Sequence, residues 1–330
     1  MRVHDSAIRS STIAVGAGST AATATATTAT AAASVGTTGG AGNDERVGGT
    51  VRAALAVVCF SLSFPATVWA LDGFGPWSST GLRGLLAAAL AAVCLRASRA
   101  PLPARRHWPG LAAVAVGCVL GFPLLTTLAL QQSSTAHTAV VVGLLPLATA
   151  AASALRSRTR LSRTFWSAAL GGAAVVLAFT LQQSGGAFSL ADLYLFGALL
   201  VCAVGYAEGG RLAKELPGWQ VIAWAALAAA PLTAVVAALA LPAEPVQLTV
   251  RSLTGLAYIA AVSQFGGFVL WYRGMAQIGV PRASQLQLAQ PLLTLGWAVL
   301  LLSETPSPAA PLTALGVLAC IAVTQRAGRR

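Results

Sequence analysis

Ten apolar stretches follow one another along the chain after residue 51, with short polar connections between them. Each has about 20 residues, the length that an α-helix needs to cross the hydrocarbon core of a membrane. With 56% hydrophobic and only 9% charged residues, the chain has too few polar side chains to cover a soluble globule of 330 residues. The sequence therefore predicts an all-α integral membrane protein with ten transmembrane helices. We place them at about 52–71, 77–96, 109–130, 134–155, 164–182, 190–208, 219–241, 252–273, 283–303 and 308–325.

Basic residues are concentrated in every second connection between these predicted helices and in both terminal segments. The connections in between, or their edges, carry Asp72, Asp192, Glu244 and Glu304 instead. By the positive-inside rule, this alternation predicts that both termini face the cytoplasm. The net charge of +12 is thereby explained by membrane orientation, and we expect no nucleic-acid partner.

A fixed offset of 145 residues aligns the second half of the chain with the first. It pairs Gly121 with Gly266, and it pairs a Pro-Leu-x-Thr motif at Pro146–Thr149 with the same motif at Pro291–Thr294. Both prolines lie inside predicted helices, where we expect a kink in each copy. Five helices per half is an odd number, so the second half must insert in the opposite orientation. We therefore expect two inverted five-helix repeats, at 51–182 and 190–326.

Residues 1–50 precede the first predicted helix. The run from Ala21 to Ala33 contains only Ala and Thr, so it offers little large apolar surface for packing. We expect a disordered tail on the cytoplasmic side. A cleaved signal peptide is the alternative, but the segment has no Leu-rich apolar core.

The five cysteines stand singly within apolar stretches and have no metal-binding spacing, so we expect neither a metal nor a cofactor. The sequence also lacks GxxxxGK[ST], HExxH and GxSxG. An ATP-driven pump is therefore disfavoured. An intramembrane enzyme and a structural or receptor-type membrane protein remain as alternatives to transport.

Several short motifs stand out in the second half of the chain, at Trp271–Gly274, Arg282–Ser284, Pro291 and Leu301–Glu304. Together they resemble the drug/metabolite transporter superfamily, and specifically the bacterial exporters that have paired EamA domains. In the first half, Arg83 is similar to an Arg at the start of the family's second helix, whereas Thr159 stands where a first-copy equivalent of Glu304 would be. The resemblance implies a multi-pass secondary transporter of the plasma (inner) membrane. It would export amino acids, metabolites or drug-like small organic solutes through a central cavity by alternating access.

Two faces of predicted helices are candidates for lining such a cavity. Polar side chains recur at helical spacing in the ninth helix, and a mixed aromatic and polar stripe runs along the eighth. The alternative is hydrogen bonding or packing between helices. If the ninth helix lines the cavity, we expect the mostly apolar stripe Val142, Leu145 and Thr149 to face it. The candidates are Gln287, Gln290, Thr294 and Trp297 in the ninth helix and Gln264, Phe268 and Trp271 in the eighth.

Three titratable or charged residues inside predicted helices are further candidates. Arg83 would hold an anionic group of a solute, fix neighbouring helices by bonding to their carbonyl groups, or extend to the nearby membrane boundary. Glu208 and His137 are candidates for proton coupling, although an ion pair with Arg211 is the simpler role for Glu208. For Glu304 we expect a structural contact with the last helix. The partners implied are the lipid bilayer, a small organic solute and protons as a candidate coupling ion, while the oligomeric state is left open.

Overall fold

A computed structural model describes residues 46–158, 162–183, 185–279, 283 and 286–327. Regular secondary structure in this part of the chain is helical throughout, as the sequence predicted. Ten helical segments occur there, close to the ten predicted positions. They are α1 (Arg46–Leu71), α2 (Pro76–Ala97), α3 (Arg105–Leu130), α4 (Thr135–Ser157), α5 (Arg163–Gln183), α6 (Leu190–Leu212), α7 (Gly218–Ala240), α8 (Val250–Ile278), α9 (Ala289–Leu302) and α10 (Ala309–Ala327).

Within the described part of the chain, seven of the ten helices, α1–α4 and α6–α8, are long and apolar enough to cross a membrane. The apolar parts of α9 and α10 are shorter. On the outward face of α2, Leu86, Leu90 and Val93 lie exposed at helical spacing. An apolar face of this kind is suited to contact with lipid. One boundary differs from the sequence prediction, because residues 46–50 already belong to α1 and not to a tail. The rest of the predicted tail lies outside the described residues.

Two helices contain a π-helical stretch, at Ala115–Gly121 in α3 and at Tyr258–Gly267 in α8. The offset of 145 residues places the first stretch inside the second. Such wider turns bulge the helix and frequently lie at functional sites. The shared irregularity supports the internal duplication that was predicted from the sequence.

In both copies the helix is interrupted just before the proline at which a kink was predicted. Helical hydrogen bonding is interrupted by a turn at Gly143–Leu144 in α4 and by a turn at Leu288 just before α9. Pro146 and Pro291 follow these turns, and a proline ring excludes the regular helical bond to the fourth residue before it. The two interrupted helices lie close together, because a Cβ atom at Gly143 would be 3.1 Å from Cγ of Pro291.

Small residues bring other helices close together around the centre of the bundle. A Cβ atom at Gly117 in α3 would lie 2.3 Å from the carbonyl oxygen of Val201 in α6, and one at Gly84 in α2 would lie 2.4 Å from Cγ2 of Thr233 in α7. Neither position has room for a larger side chain without a shift. Contacts of this kind are the usual way in which membrane helices pack.

Candidate substrate cavity

A narrow cavity of about 30 Å³ lies among α1, α2, α3, α4, α6, α8 and α9, and we call it the central cavity. Its walls come from both repeats, and in this conformation it has room for about two water molecules, so a solute can enter only if the surrounding helices move apart. A smaller space of about 10 Å³ between α1, α4 and α9, here the side pocket, shares Phe64, Leu145 and Gln290 with it. The central cavity is lined by Phe60, Ser63, Phe64, Thr67, Arg83, Cys118, Phe122, Thr126, Leu145, Tyr206, Ser263, Phe268 and Gln290.

Arg83 is the charged residue among these lining residues. It lies in the second turn of α2 and is only 6% exposed. Its Nε donates a hydrogen bond to Oε1 of Gln264 at 3.0 Å, and no carboxylate of the described residues pairs with it. Buried cations inside membrane helices are rare and usually face a cavity or a partner. The alternative that Arg83 extends to the membrane boundary does not fit its position.

Gln264 was predicted to line the cavity, but its side chain is fully buried and joins helices instead. Besides accepting from Arg83, it donates through Nε2 to the carbonyl oxygen of Cys118 at 3.2 Å. These two bonds link α8 to α2 and α3. Gln264 therefore holds the Arg83 guanidinium in position.

The two aromatic residues of the α8 stripe have different positions: one lines the central cavity and the other packs between helices. Phe268 lines the central cavity, with its ring centroid 5.1 Å from that of Phe60 and 5.8 Å from that of Tyr206. Trp271 is 1% exposed and packs against the same two rings, both at 6.2 Å, without lining the cavity. Sequence reasoning missed Phe60 and Tyr206, because nothing in α1 or α6 marks which aromatic side chain faces inward.

Three of the four residues of the polar stripe line the side pocket: Gln287, which lies just before α9, and Gln290 and Thr294 within it. Val142 and Leu145 of α4, two members of the expected apolar stripe, line the side pocket as well. Thr149, the third member of the expected apolar stripe, is buried but does not line either space. Gln290 lines both spaces and makes no side-chain hydrogen bond with the described residues, so its amide is available to a solute.

Thr294 and Trp297 also join α9 to α1. Pro65 has no N–H, so it leaves the carbonyl oxygen of Ser61 without its regular helical donor. Oγ1 of Thr294 donates to this oxygen at 2.9 Å, and Nε1 of Trp297 donates to the Ser61 hydroxyl at 3.0 Å. The helix-to-helix alternative accounts for both residues, although Thr294 also borders the side pocket.

Glu208 lies near the end of the bundle that carries the basic connections, which we call the basic end. Its carboxylate accepts from Nε of Arg211 at 2.9 Å, the pairing expected from the sequence, and also from Nε of Arg156 in α4 at 2.5 Å. Nearby, Nε2 of His107 is hydrogen-bonded to Oε2 of Glu215 at 3.1 Å. This bond, together with the positive charges of Arg106 and Arg211, lowers the pKa of the Glu215 carboxyl. Glu208 does not line the central cavity.

His137 lies at the opposite end of the bundle, the acidic end. Its Nε2 is 2.7 Å from Oδ1 of Asp192, both side chains are buried, and the imidazole stacks on Phe179 at 5.4 Å. His137 also borders a separate open space of about 390 Å³ formed with α5 and the connection from α9 to α10. This space is large enough for water to reach the imidazole.

Glu304 makes a structural contact, but with a different helix from the one expected. Its carboxylate accepts from the backbone N–H groups of Thr135 and Ala136, at 3.0 and 3.2 Å, and so caps the start of α4 and not α10. Glu244 does the same for α2, accepting from Trp77 and Ser78 at 3.2 and 2.8 Å. In both cases, a carboxylate from the second repeat satisfies free N–H groups at a helix start in the first.

The fold defines a multi-span helical membrane protein with a narrow internal cavity that both repeats line. Sequence comparison gives the family: the model of the EamA-like transporter family matches residues 48–181 and again residues 189–325. The chain belongs to this family and carries two copies of its domain. The match confirms the resemblance seen in the sequence motifs.

Two further comparisons agree with this assignment. The "Uncharacterized transporter YdeK" of Bacillus subtilis (strain 168) is 40% identical over 278 residues, which cover 84% of this chain and 97% of that protein. A crystal structure of a protein that is 23% identical matches with a TM-score of 0.61, over 84% of this chain and 97% of that chain. The second comparison supports the fold alone.

Proposed function

We propose that the protein is a secondary transporter that exports a small organic solute through the central cavity by alternating access. The observation that carries the proposal is the composition of that cavity, which both repeats build together. It contains a buried cation without an acidic partner and a glutamine amide without a hydrogen-bond partner among the described residues. Polar groups left open in a membrane interior are costly unless they meet water or solute.

The contacts at the two ends of the bundle fit alternating access. At the acidic end, Glu244 and Glu304 of the second repeat cap helices of the first. At the basic end, Glu208 of the second repeat pairs with Arg156 of the first. The first set joins the repeats at the acidic end of the cavity, and the second set joins them at the basic end. Breaking one set while keeping the other would open the cavity to one side of the membrane at a time.

The walls of the two spaces favour an amphipathic solute. The side pocket sets Gln287 and Gln290 against Val142 and Leu145, and the central cavity adds several aromatic rings. A sugar or an inorganic ion would leave the apolar wall without a partner. For coupling, we favour His137 over Glu208, because Glu208 is held by two arginines whereas His137 borders the open space at the acidic end.

A screen in living cells tests the transport function. A host that lacks several exporters of its own would overproduce the protein and be exposed to amino-acid analogues and small organic toxins. We expect reduced accumulation of at least one compound, and the effect should disappear in Ser63→Phe, which fills the central cavity, at equal membrane abundance. Unchanged accumulation of every compound would contradict the proposal.

A further inference from the structure

We infer that the central cavity recognises its solute by a carboxylate group bound to Arg83, so that the substrates are amphipathic monocarboxylates. This inference rests on the proposed transport function and names the substrate class of the same site. It follows from three features: the orientation of Arg83, the balance of charge in the cavity and the composition of the walls.

The first feature is how Arg83 is held. Only Nε of the guanidinium is engaged by a protein side chain among the described residues, through the 3.0 Å bond to Gln264. Gln264 is fixed in turn by its bond to the Cys118 carbonyl. The two terminal amino groups therefore remain for a ligand, on a side chain whose plane is already set. A planar fork of two N–H donors matches the two oxygens of a carboxylate.

The second feature is the balance of charge. No Asp or Glu of the described residues lines the central cavity, and carboxylates near the bundle ends are engaged elsewhere, as in Glu208 with its two arginines and Glu304 with α4. A single buried positive charge is thus left without a counter-charge, which is unfavourable until an anion binds. The single positive charge of Arg83 neutralises the charge of a monocarboxylate, whereas a phosphate dianion would need a second cation.

The third feature is the rest of the wall. Phe60, Phe64, Phe122 and Phe268 offer apolar surface to the remainder of the solute. Because the lining residues that the structure describes include no acidic side chain, none of them matches an ammonium group, and a zwitterion gains less than a simple acid. The chemistry of the wall therefore favours an aliphatic or aromatic acid.

The experiment compares acids with their own amides. Purified protein in detergent would be titrated at constant ionic strength with phenylacetate, hexanoate and 4-methylpentanoate and with the three matching primary amides, with binding followed by calorimetry and by the shift in Tm. We expect at least one acid to bind, and its amide to bind at least about tenfold more weakly. Equal binding of acid and amide, or no binding of any acid, would overturn the inference.

Variants then assign the effect to Arg83. Arg83→Gln should abolish the preference for the acid, and Arg83→Lys should keep part of it because the charge remains. Arg251→Gln is the matched control, since Arg251 is exposed and pairs with Asp72 at 3.0 Å away from the cavity. A preference that survives Arg83→Gln overturns the inference. If Arg83→Gln fails to fold, the comparison of acid with amide in the wild-type protein still decides whether the site recognises a carboxylate.

Failure of this inference differs from failure of the transport function. Wild-type vesicles that move a neutral or cationic solute, while no acid binds, would refute the carboxylate site and leave transport standing. Acids that bind through Arg83 but cross the membrane no faster than in empty vesicles would refute transport and leave the site standing.

Discussion

The side-chain amide of Gln264 donates to the carbonyl oxygen of Cys118 at 3.2 Å and so joins the two π-helical stretches, one from each repeat. In α3 the N–H of Phe122 bonds to the carbonyl of Gly117, which is the wider π-type step. The next residue, Pro123, has no N–H to continue that pattern to Cys118. Gln264 supplies the missing donor and also positions Arg83.

Replacing Gln264 should therefore destabilise the protein. Gln264→Leu leaves the Cys118 carbonyl and the Arg83 Nε without a partner, and we expect a loss of about 1–3 kcal/mol per buried unsatisfied group. The loss would be measured as a fall in Tm and in the midpoint of denaturant unfolding. Gln277→Leu is the matched control, because Gln277 also accepts from an arginine, Arg52 at 2.7 Å, but at an exposed site. Equal effects of the two variants would contradict the structural role of Gln264.

Gln290 should matter for transport and little for folding. Its amide has no side-chain hydrogen bond to lose within the described residues and faces both cavities. We expect Gln290→Leu to leave Tm nearly unchanged and to reduce solute flux about tenfold, the effect of losing one useful hydrogen bond to the solute. Gln220→Leu, a half-buried glutamine of α7 away from both cavities, should retain full flux. A Gln290→Leu protein that loses stability but keeps its specific flux would show that the residue only joins helices.

The two carboxylate caps at the acidic end should contribute independently to stability. We expect Glu304→Ala and Glu244→Ala each to cost about 0.5–2 kcal/mol, as other lost helix caps do. The double variant should be additive, since the capped helices α4 and α2 share no cap residue. Unfolding of the four proteins in detergent would give these values. Asp72→Ala, which removes only a surface pair with Arg251, should cost less than about 1 kcal/mol. If Glu304→Ala and Glu244→Ala lower the stability no more than Asp72→Ala does, the capping roles of the two glutamates are contradicted.

The basic and acidic ends should lie on opposite sides of the membrane. Reporter fusions after Arg163 and after Arg330 should be active in the cytoplasm, because basic connections are retained there. A fusion after Gly186, in the connection before α6, should report the exterior. An exterior signal from the fusion at the C-terminus would contradict both the orientation and the count of ten spans.

Much of the fold follows from the sequence, because hydropathy and charge act locally. The positions of the helices and the two kinks come from apolar length and from proline chemistry, which need no tertiary contact. The facing walls Gln287 with Gln290 and Val142 with Leu145 were also predictable, since the offset of the repeat pairs them. The repeat offset did not predict the π-helical stretches, because they do not show in the spacing of apolar residues along the sequence.

The partners of individual polar groups could not be predicted in the same way. Thr294 and Trp297 share the stripe of Gln290, and only the tertiary contact with Ser61 shows that a proline in α1 needs their donors. Likewise, Glu304 caps α4 and Glu208 reaches Arg156, both more than 50 residues away along the chain. Helical spacing identifies a polar face, but packing decides whether that face meets a cavity or a neighbouring helix.

The most direct test of the central claim is solute flux through the purified protein. Vesicles containing the wild-type protein would be loaded with the solute identified in cells, and exchange of labelled for unlabelled solute would be followed over time. We predict saturable exchange above that of empty vesicles, which Ser63→Phe abolishes and Gln290→Leu reduces while Gln220→Leu preserves it. Exchange equal to that of empty vesicles, or exchange that Ser63→Phe leaves unchanged in correctly folded protein, would contradict transport through the central cavity.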